Sequence, residues 1–430
     1  MSSPQQPRIF LSAGEASGDA YGAAIIRELA SRLPGASFTG LGGVQMESAG
    51  QQRVVRAEDV AVMGVTEILR HIPRIYASYR RLVASIKRQR PDVAILIDFP
   101  DVNFRLAKHL KRAGVPVIWF VSPQLWAWKR SRLRWVQQRV AKMMVIFPFE
   151  QTFYAKRGVQ AEFVGHPLTE LPPITSTREE YAERFGLDPA KTWIALLPGS
   201  RWKEIRANLP ALHELAMSDL IASTAAHTTL GWNGVETPEN PAAYTSFEFL
   251  LPYATTIKPD DLRAYIAELN REHLKYFGPE AATMRLTLVP DAREAMTHAR
   301  ASVVASGTAT VLAALVGNPF VVVYRVSSLT FALAKKLVEY PQEMRTPLDA
   351  AGNLPVAMAN LIAERRLVPE LLQGRFTAQN VALELSQILP DGPARDRQIE
   401  GLTAVRESLT TTGPTATERV ADAVARLLSA

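Results

Sequence analysis

Two carboxylates and an amide follow a strongly apolar run of the sequence. The run DVAILI leads into Asp98, Asp101 and Asn103, and its composition predicts a buried strand. The carboxyl ends of parallel strands hold the reactive groups of α/β enzymes. A partly desolvated carboxylate at such an end can remove a proton from a hydroxyl group, so Asp98 is predicted to be a general base. Asp101 follows a proline and precedes a helical pattern, which favours a helix N-cap.

Two loops in the second half of the sequence are predicted to bind phosphate. Each follows an apolar run and precedes a helical pattern. Their residues are Gly199, Ser200 and Arg201 in LLPGSRWKEI, and Ser306, Gly307 and Thr308 in ASGTAT. Backbone N–H groups at a helix start, together with a guanidinium group, can hold a diphosphate. Neither loop matches the Walker pattern GxxxxGK(S/T), so ATP hydrolysis is not expected.

Two segments of the first half have more than one interpretation. The loop AGEASGD opens a helix after the first strand, where it could contact a ligand or form a tight turn capped by Ser17 or Asp19. The segment SPQLWAWKRSRLRW combines three tryptophans with lysine and arginine. Aromatic and cationic side chains together suit a sugar, a lipid phosphate or a nucleobase. Nucleic acid is disfavoured because no helix-turn-helix, RRM or KH signature accompanies the segment.

The composition excludes several kinds of protein. The chain has 430 residues, 47% of them hydrophobic, which predicts two domains. It has no cysteine, and its seven histidines show no metal-binding spacing, so neither a disulfide nor a metal site is expected. No apolar run is long enough to span a membrane, and the N-terminus lacks the features of a secretory signal, so a cytoplasmic location is predicted.

The charge distribution points to an anionic partner. The net charge is +7, which suits nucleic acid, a nucleotide-linked substrate or an anionic membrane surface and does not choose among them. Apolar residues recur at helical spacing from Glu67 to Arg90, opposite several arginines, and predict an amphipathic helix. The apolar loop VAVMGV, at 60–65, precedes this helix. We predict that the loop and the first turn dock on a membrane.

The order of the patterns predicts the domain organisation. Short apolar runs alternate with helical patterns in both halves, as in a parallel, doubly wound sheet. The predicted fold is α/β, with two Rossmann-like domains that face a cleft and with a helical C-terminus. We expect the first domain at 1–170, a linker at 171–177, the second domain at 178–355 and a strand-free helical segment at 356–430. The segment 218–246 shows neither helical nor strand periodicity.

The motifs, taken together and in order, resemble a known family. AGEASGD, VMGVTEIL, IDFPDVN, VSPQLWAW, FPFEQTFY, VGHP, LPGSR, ASGTAT, LAKKLV and VPELLQ resemble the signatures of the lipid-A-disaccharide synthase family. Its members are membrane-associated, inverting glycosyltransferases of GT-B fold. The resemblance covers most of the chain.

The resemblance implies a reaction. A UDP-2,3-diacylglucosamine donor would transfer its sugar to the 6-hydroxyl of 2,3-diacylglucosamine 1-phosphate, forming a β-1′,6 bond and releasing UDP. The enzyme would act from the cytoplasmic side, as a peripheral protein on the inner face of the bacterial inner membrane. No metal or other cofactor is implied, because helix starts and an arginine can neutralise the diphosphate.

The resemblance also implies roles for individual residues. Asp98 would be the base, while Arg201, with its loop, and the loop at 306–308 would hold UDP. Asn360 would belong to the donor site. The residues implied near the acceptor or in the cleft are Glu15, Asn103, Gln124, Trp126 and His166. One departure is that Leu312 stands where the family has a glutamate placed for the ribose.

Two other functions stay open at this point. One is a different UDP-sugar transferase or epimerase on the same two-domain plan. The other is a catalytically silent relative that binds lipid or nucleotide.

Overall fold

The structure, a computed structural model, describes residues 6–59, 65–217, 247–278, 286–344 and 346–429. Residues 60–64 of the apolar loop at 60–65, and the segment 218–246, lie outside these residues. None of the helices within the described ranges is both long and apolar enough to cross a membrane.

The described chain forms two compact units. The first contains the residues up to Leu171, together with Leu337–Glu343 and the residues from Leu409 onward. The second contains Pro172–Lys336 and Met344–Ser408. The C-terminal helical region is therefore divided between the two units, whereas the sequence analysis placed it in one segment.

The first unit is built on a parallel sheet. Its seven strands are β1 (Arg8–Ala13), β2 (Ser37–Gly42), β3 (Gln51–Arg56), β4 (Val93–Ile97), β5 (Val117–Phe120), β6 (Lys142–Val145) and β7 (Ala161–Phe163). Their order is β3-β2-β1-β4-β5-β6-β7. Every residue of β4 is buried, as in a parallel strand covered on both faces. The chain leaves β1 towards β3 and returns to place β4 on the other side of β1, so the topological switch point lies between β1 and β4.

Seven helices of the described residues belong to the first unit. They are α1 (Ala16–Arg32), α2 (Val44–Ser48), α3 (Val65–Gln89), α4 (Pro100–Arg112), α5 (Leu133–Arg139), α6 (Pro148–Ala155) and α16 (Ala416–Ser429). The span of α3 confirms the predicted helix at 67–90. Helix α16 buries Val420 and Val424, and its Asp422 pairs with Arg32 of α1 at 2.5 Å.

The second unit repeats the plan with a six-stranded parallel sheet. Its strands are β8 (Thr192–Leu197), β9 (Phe247–Pro252), β10 (Leu286–Val289), β11 (Ala301–Ala305), β12 (Phe320–Tyr324) and β13 (Glu370–Leu372). Their order is β10-β9-β8-β11-β12-β13. Its switch point lies between β8 and β11.

The described helices of the second unit lie before, between and after its strands. They are α7 (Arg178–Phe185), α8 (Trp202–Ala216), α9 (Pro259–Phe277), α10 (Ala292–His298), α11 (Thr308–Val316), α12 (Ser328–Leu337), α13 (Met358–Ile362), α14 (Ala378–Ile388) and α15 (Pro393–Leu409). Helix α7 begins at a capping box: Thr177 N–H donates to Glu180 at 2.8 Å, and Glu180 N–H donates to the Thr177 hydroxyl at 3.2 Å. Single-turn 3-10 helices lie at Ala57–Asp59, Arg130–Arg132, Pro167–Glu170 and Gln373–Arg375.

The predicted fold class is confirmed, because both sheets are parallel, doubly wound and accompanied by helices, and helices follow to the C-terminal end. One prediction about the segment after 355 is wrong. The motif VPELLQ contains β13, which pairs with β12 through Glu370 and Val322. A strand of three residues is too short to show periodicity in a sequence.

Candidate active site

The carboxyl end of β4 has an unusual backbone. Asp98 and Phe99, which follow β4, have φ of 41° and 47°, and Val121, which follows β5, has φ of 61°. These left-handed conformations are unfavourable for residues other than glycine and cost roughly 1 to 3 kcal/mol each. The Asp98 N–H donates to Phe120 O at 3.1 Å, so the two strained turns are neighbours. This edge, beside the switch point of the first sheet, is where such folds bind ligands.

Asn103 holds the Asp98 turn in place. Its side chain is completely buried in α4. Its Oδ1 accepts from the Ser12 hydroxyl at 2.6 Å, and its Nδ2 donates to Asp98 O at 2.7 Å and to Ile97 O at 3.2 Å. These bonds join the ends of β1 and β4. Because Asn103 has no exposed surface, its contribution to the site is positioning rather than direct contact with a substrate.

The environment of Asp98 suits a base that works near neutral pH. Burial and, to a lesser extent, the neighbouring Glu15 carboxylate raise the pKa of this carboxyl from 3.8 to about 7, against the Phe99 N–H, which lowers it. Some of the side chain remains accessible. Glu15 is exposed at the N-cap position of α1. The Glu15 carboxylate is therefore close enough to disfavour ionisation of Asp98.

Tyr21 is a candidate site residue that the sequence analysis missed. It lies on α1 and packs edge-to-face against Phe120, with ring centroids 6.2 Å apart. Burial and then the Asp98 charge raise the pKa of its hydroxyl above the ordinary value. A protonated phenol close to Asp98 can donate a hydrogen bond to a substrate. The only sequence signal was its place in the helix that opens after AGEASGD.

Two predicted N-caps are corrected by the structure. Helix α4 has Phe99 at its N-cap, whereas Asp101 lies in the first turn and pairs with Arg132 at 2.6 Å. Helix α1 has no side-chain cap. The Asp19 carboxylate instead accepts the N–H groups of Gly43, Gln45 and Met46, at 2.7, 3.0 and 3.1 Å, at the start of α2.

Trp126 lies in the core of the first unit. Its Nε1 donates to Glu150 at 3.2 Å, and its ring packs edge-to-face against Phe149 at 5.2 Å. Glu150 is itself buried and also accepts from Phe147 N–H at 3.2 Å. Burial raises the pKa of Glu150 to about 8. The assignment of Trp126 to a substrate-facing edge is therefore not supported by its burial.

Other parts of the tryptophan segment do reach the surface. Gln124 is exposed, and Trp128 is 43% exposed with Lys129 Nζ 4.1 Å from the centre of its ring. Trp135 packs against Phe104 at 5.4 Å. Gln124, Trp128 and Lys129 are all exposed, so a ligand could contact them.

His166 is a buried, neutral imidazole. Its Nδ1 accepts from Leu168 N–H at 3.2 Å, and the ring packs against Phe147 at 5.5 Å. Burial lowers the pKa of His166 to about 4. The side chain therefore stays uncharged at physiological pH and contributes packing and hydrogen bonding.

In the second unit, the loop after β8 places an arginine at a helix start. Gly199 has φ of 130°, and a Cβ atom there would lie 2.4 Å from Glu204 Cβ. The Glu204 carboxylate accepts from Ser200 N–H at 2.9 Å. Arg201, exposed at the N-cap position of α8, lies 3.6 Å from the same carboxylate. An anion bound at this helix start would meet both the guanidinium and Glu204.

The loop after β11 lies on the other side of the same switch point. The Ser306 hydroxyl donates to Val356 O at 3.1 Å. Gly307 and Thr308 are exposed at the start of α11. The loops after β8 and β11 therefore flank the switch point of the second sheet, where nucleotides bind in folds of this type.

Asn360, the remaining donor-site assignment, is completely buried. Its Nδ2 donates to Val368 O and to Glu370, both at 2.9 Å, and its Oδ1 accepts from Val368 N–H at 2.8 Å. It braces the approach to β13 and has no surface for a ligand.

Comparisons with known proteins show the family of the chain. The family model described as lipid-A-disaccharide synthetase matches residues 9–230 and 262–424. The lipid-A-disaccharide synthase of Acidobacterium capsulatum is 50% identical over 417 residues, covering 96% of this chain and 94% of the relative. The lipid-A-disaccharide synthase of Koribacter versatilis is 44% identical over 420 residues, covering 97% of each chain.

Solved structures show the same fold at low identity. A glycotransferase of kitacinnamycin has a TM-score of 0.58 at 14% identity, covering 99% of this chain and 100% of the other. A UDP-GlcNAc 2-epimerase from Neisseria meningitidis has a TM-score of 0.56 at 11% identity, covering 97% of this chain and 100% of the other. These likenesses support the fold alone. The family model and the two sequence relatives span both units, and the chain belongs to the lipid-A-disaccharide synthase family.

Proposed function

We propose that this protein joins two acylated glucosamine units to form the disaccharide of lipid A and releases UDP. The donor is a UDP-linked 2,3-diacylglucosamine and the acceptor a 2,3-diacylglucosamine 1-phosphate. The acceptor 6-hydroxyl attacks C1 of the donor sugar as its proton leaves, the bond from C1 to the phosphate oxygen breaks, and UDP departs with the bonding electrons. Attack from the face opposite UDP inverts the configuration at C1.

The observation that carries the proposal is the environment of Asp98. Its carboxylate lies on a strained turn at a switch point, and Asn103 holds that turn by hydrogen bonds to backbone carbonyls. A pKa of about 7 lets the carboxylate accept a proton near neutral pH, whereas an exposed aspartate would be a weaker base. Glu15 and Tyr21 are the polar neighbours that can orient the acceptor hydroxyl.

The donor diphosphate is assigned to the second unit. The exposed N–H groups at the start of α11 and the Arg201 guanidinium at the start of α8 supply positive charge without a metal ion. Leu312, on α11, leaves the ribose without the carboxylate contact that the family resemblance implies.

In this proposal the protein works at the cytoplasmic face of the inner membrane, because both of its substrates are acylated. In the first unit, α3 presents exposed Tyr76, Arg80 and Arg81. Aromatic and cationic side chains on one helix suit an anionic lipid surface. The predicted membrane contact of the loop at 60–65 and of the first turn of α3 is part of the same proposal.

Release of UDP from both acylated substrates tests the function. We expect Asp98→Asn to lower turnover by roughly 10²- to 10⁴-fold, the usual effect of losing a general base. Asp101→Asn is the matched control, because this carboxylate lies three residues away but pairs with Arg132; its turnover should stay near that of the parent. An inactive parent would reject the enzyme assignment, and an active Asp98→Asn variant would reject the base.

A further inference from the structure

The ring of Phe99 packs on the backbone of the loop between β1 and α1. Phe99 is half-buried, and Gly14, the first glycine of AGEASGD, is buried. A Cβ atom at position 14 would lie 2.4, 2.5 and 2.6 Å from Cδ1, Cγ and Cε1 of Phe99, whereas carbon atoms in contact are normally about 3.5 to 4.0 Å apart. The φ of Gly14 lies outside the left-handed region. The ring, and not the backbone conformation, therefore requires glycine at this position.

This contact helps to hold a strained backbone. Phe99 has φ of 47°, which a phenylalanine adopts only where its surroundings enforce it. Asn103 donates to the carbonyl oxygens of Ile97 and Asp98. The turn that carries Asp98 is thus held by hydrogen bonds to its carbonyl groups and by packing of the Phe99 ring on Gly14.

Phe99 also acts directly on the carboxyl group of Asp98. Its backbone N–H donates to that group and lowers its pKa, against the effect of burial. Glu15, which follows Gly14 in the sequence, and Tyr21 on α1 are titratable groups that interact with Asp98. The contact between Gly14 and Phe99 therefore joins the segment that carries the base to the segment that carries its neighbouring carboxylate.

We propose that Gly14 and Phe99 are positioning residues for the general base. The Phe99 ring, packed on Gly14, fixes where the Asp98 carboxylate lies relative to the acceptor hydroxyl, and neither residue has to touch the reacting atoms. The expected effect on turnover rests on the proposed function. The expected effect on Asp98 itself needs no substrate.

Gly14→Ala is the direct test. The added methyl group must push the Phe99 ring away by about 1 Å, and a displacement of that size in an active site can cost roughly 10²-fold in rate. We expect kcat for UDP release to fall roughly 10- to 100-fold, with little change in the KM for the acceptor. Because the Phe99 N–H then moves away from Asp98, the pKa of Asp98 should rise, and the acidic limb of the pH profile should move to higher pH.

Phe99→Asn supplies a rescue. Asparagine tolerates a left-handed backbone and has no ring, so this substitution creates no clash of its own and makes room for the methyl group of Gly14→Ala. Alone it should lower kcat about 10-fold, because the turn loses the ring that holds it. In its presence Gly14→Ala should cause no further loss, so the two effects are strongly non-additive.

Two kinetic results would overturn the proposal. One is that the losses in kcat from Gly14→Ala and Phe99→Asn simply add. The other is that Phe99→Asn raises the KM for the acceptor and leaves kcat unchanged, which would make Phe99 a residue that contacts the substrate.

Gly22→Ala is the matched control. A Cβ atom at this position of α1 would lie 2.6 Å from Met46 Sδ, so the substitution creates a similarly short contact nearby. The Met46 side chain is flexible and belongs to α2, not to the Asp98 turn. The variant should keep kcat within about twofold of the parent and leave the acidic limb unmoved. A shift of the limb in Gly22→Ala would show that any packing defect in this region has the same effect.

Unfolding in denaturant tests the same contact without substrate. The parent, the two single variants and the double variant should show non-additive changes in the free energy of unfolding. An ionised aspartate whose pKa is raised by folding is destabilising, so Asp98→Asn should add stability at high pH. In the Gly14→Ala background this added stability should begin to fall at a higher pH than in the parent, because the pKa of Asp98 in the folded protein is higher.

The unfolding results separate the positioning of Asp98 from the proposed function. If the parent releases no UDP but both unfolding results are obtained, the proposed function fails and the positioning role stands. If the changes in stability add, or if the added stability from Asp98→Asn keeps its pH dependence in the Gly14→Ala background, the Phe99 ring does not position Asp98.

Discussion

Asp98→Asn should make the first unit more stable while it removes the base. In the folded protein the carboxyl has a pKa of about 7, against 3.8 when solvated, so folding opposes its ionised form. Asparagine has nearly the same shape and no charge. It also tolerates a left-handed backbone such as the φ of 41° at this position. The substitution therefore removes a cost without requiring a new backbone conformation.

The size and the pH dependence of the gain follow from this pKa difference. A pKa raised from 3.8 to about 7 corresponds to roughly 4 kcal/mol of lost stability at high pH. Water reaches part of the Asp98 side chain, so we expect a gain of about 1 to 3 kcal/mol. The cost is fully present above pH 7, where Asp98 is ionised in both states. It falls as the pH drops from 7 to 4, because the folded protein then keeps the proton.

Thermal unfolding of the parent and of Asp98→Asn, measured from pH 4 to pH 8, is the assay. Each kcal/mol should raise the Tm by roughly 2 to 4 °C for a unit of this size. Asp101→Asn is the control, since its exposed carboxylate forms ion pairs and should give no such gain. A gain that does not change between pH 8 and pH 4 would refute the role of ionisation. A loss of stability at pH 8 would show that the Asp98 charge is stabilising.

Three further predictions concern catalysis, UDP binding and thermal stability. Turnover should fall about tenfold per pH unit below pH 7, and Glu15→Gln should move this limb to lower pH by removing a like charge; an unmoved limb in a pH profile would exclude the coupling to Asp98. Arg201→Ala should weaken UDP binding about tenfold or more in calorimetry, and Leu312→Glu should tighten it; equal affinities would limit Arg201 to its pair with Glu204. Glu150→Leu should lower thermal stability, because Trp126 loses its acceptor, whereas Glu150→Gln should retain it; loss in the glutamine variant would require a charged Glu150.

The strands were predictable because both faces of a parallel sheet are covered. Strands such as β4 and β11 then become continuous apolar runs, which a sequence shows directly. The loops that follow them were predictable for the same reason, since a strand end in such a fold fixes where the next residues lie. The sequence analysis missed β13, because a strand of three residues is too short to show a hydrophobic period.

The roles of the buried polar residues could not be predicted, because their partners are distant in sequence. Asn103 bonds with Ser12, 91 residues away, and Trp126 bonds with Glu150, 24 residues away. A tryptophan beside lysines looks the same in a sequence whether it faces water or the core. The N-cap at Phe99 carries no cap-forming side chain, so only its left-handed backbone could reveal it.

The position of α16 has a consequence for synthesis of the chain. Asp422 pairs with Arg32, which lies 390 residues earlier, and Val420 and Val424 are buried in the first unit. During translation, β1 to β7 emerge long before α16 does. The surface that α16 covers therefore stays open to water, or to a chaperone, while the whole second unit is being made. The second unit can complete its fold first, even though its residues leave the ribosome later.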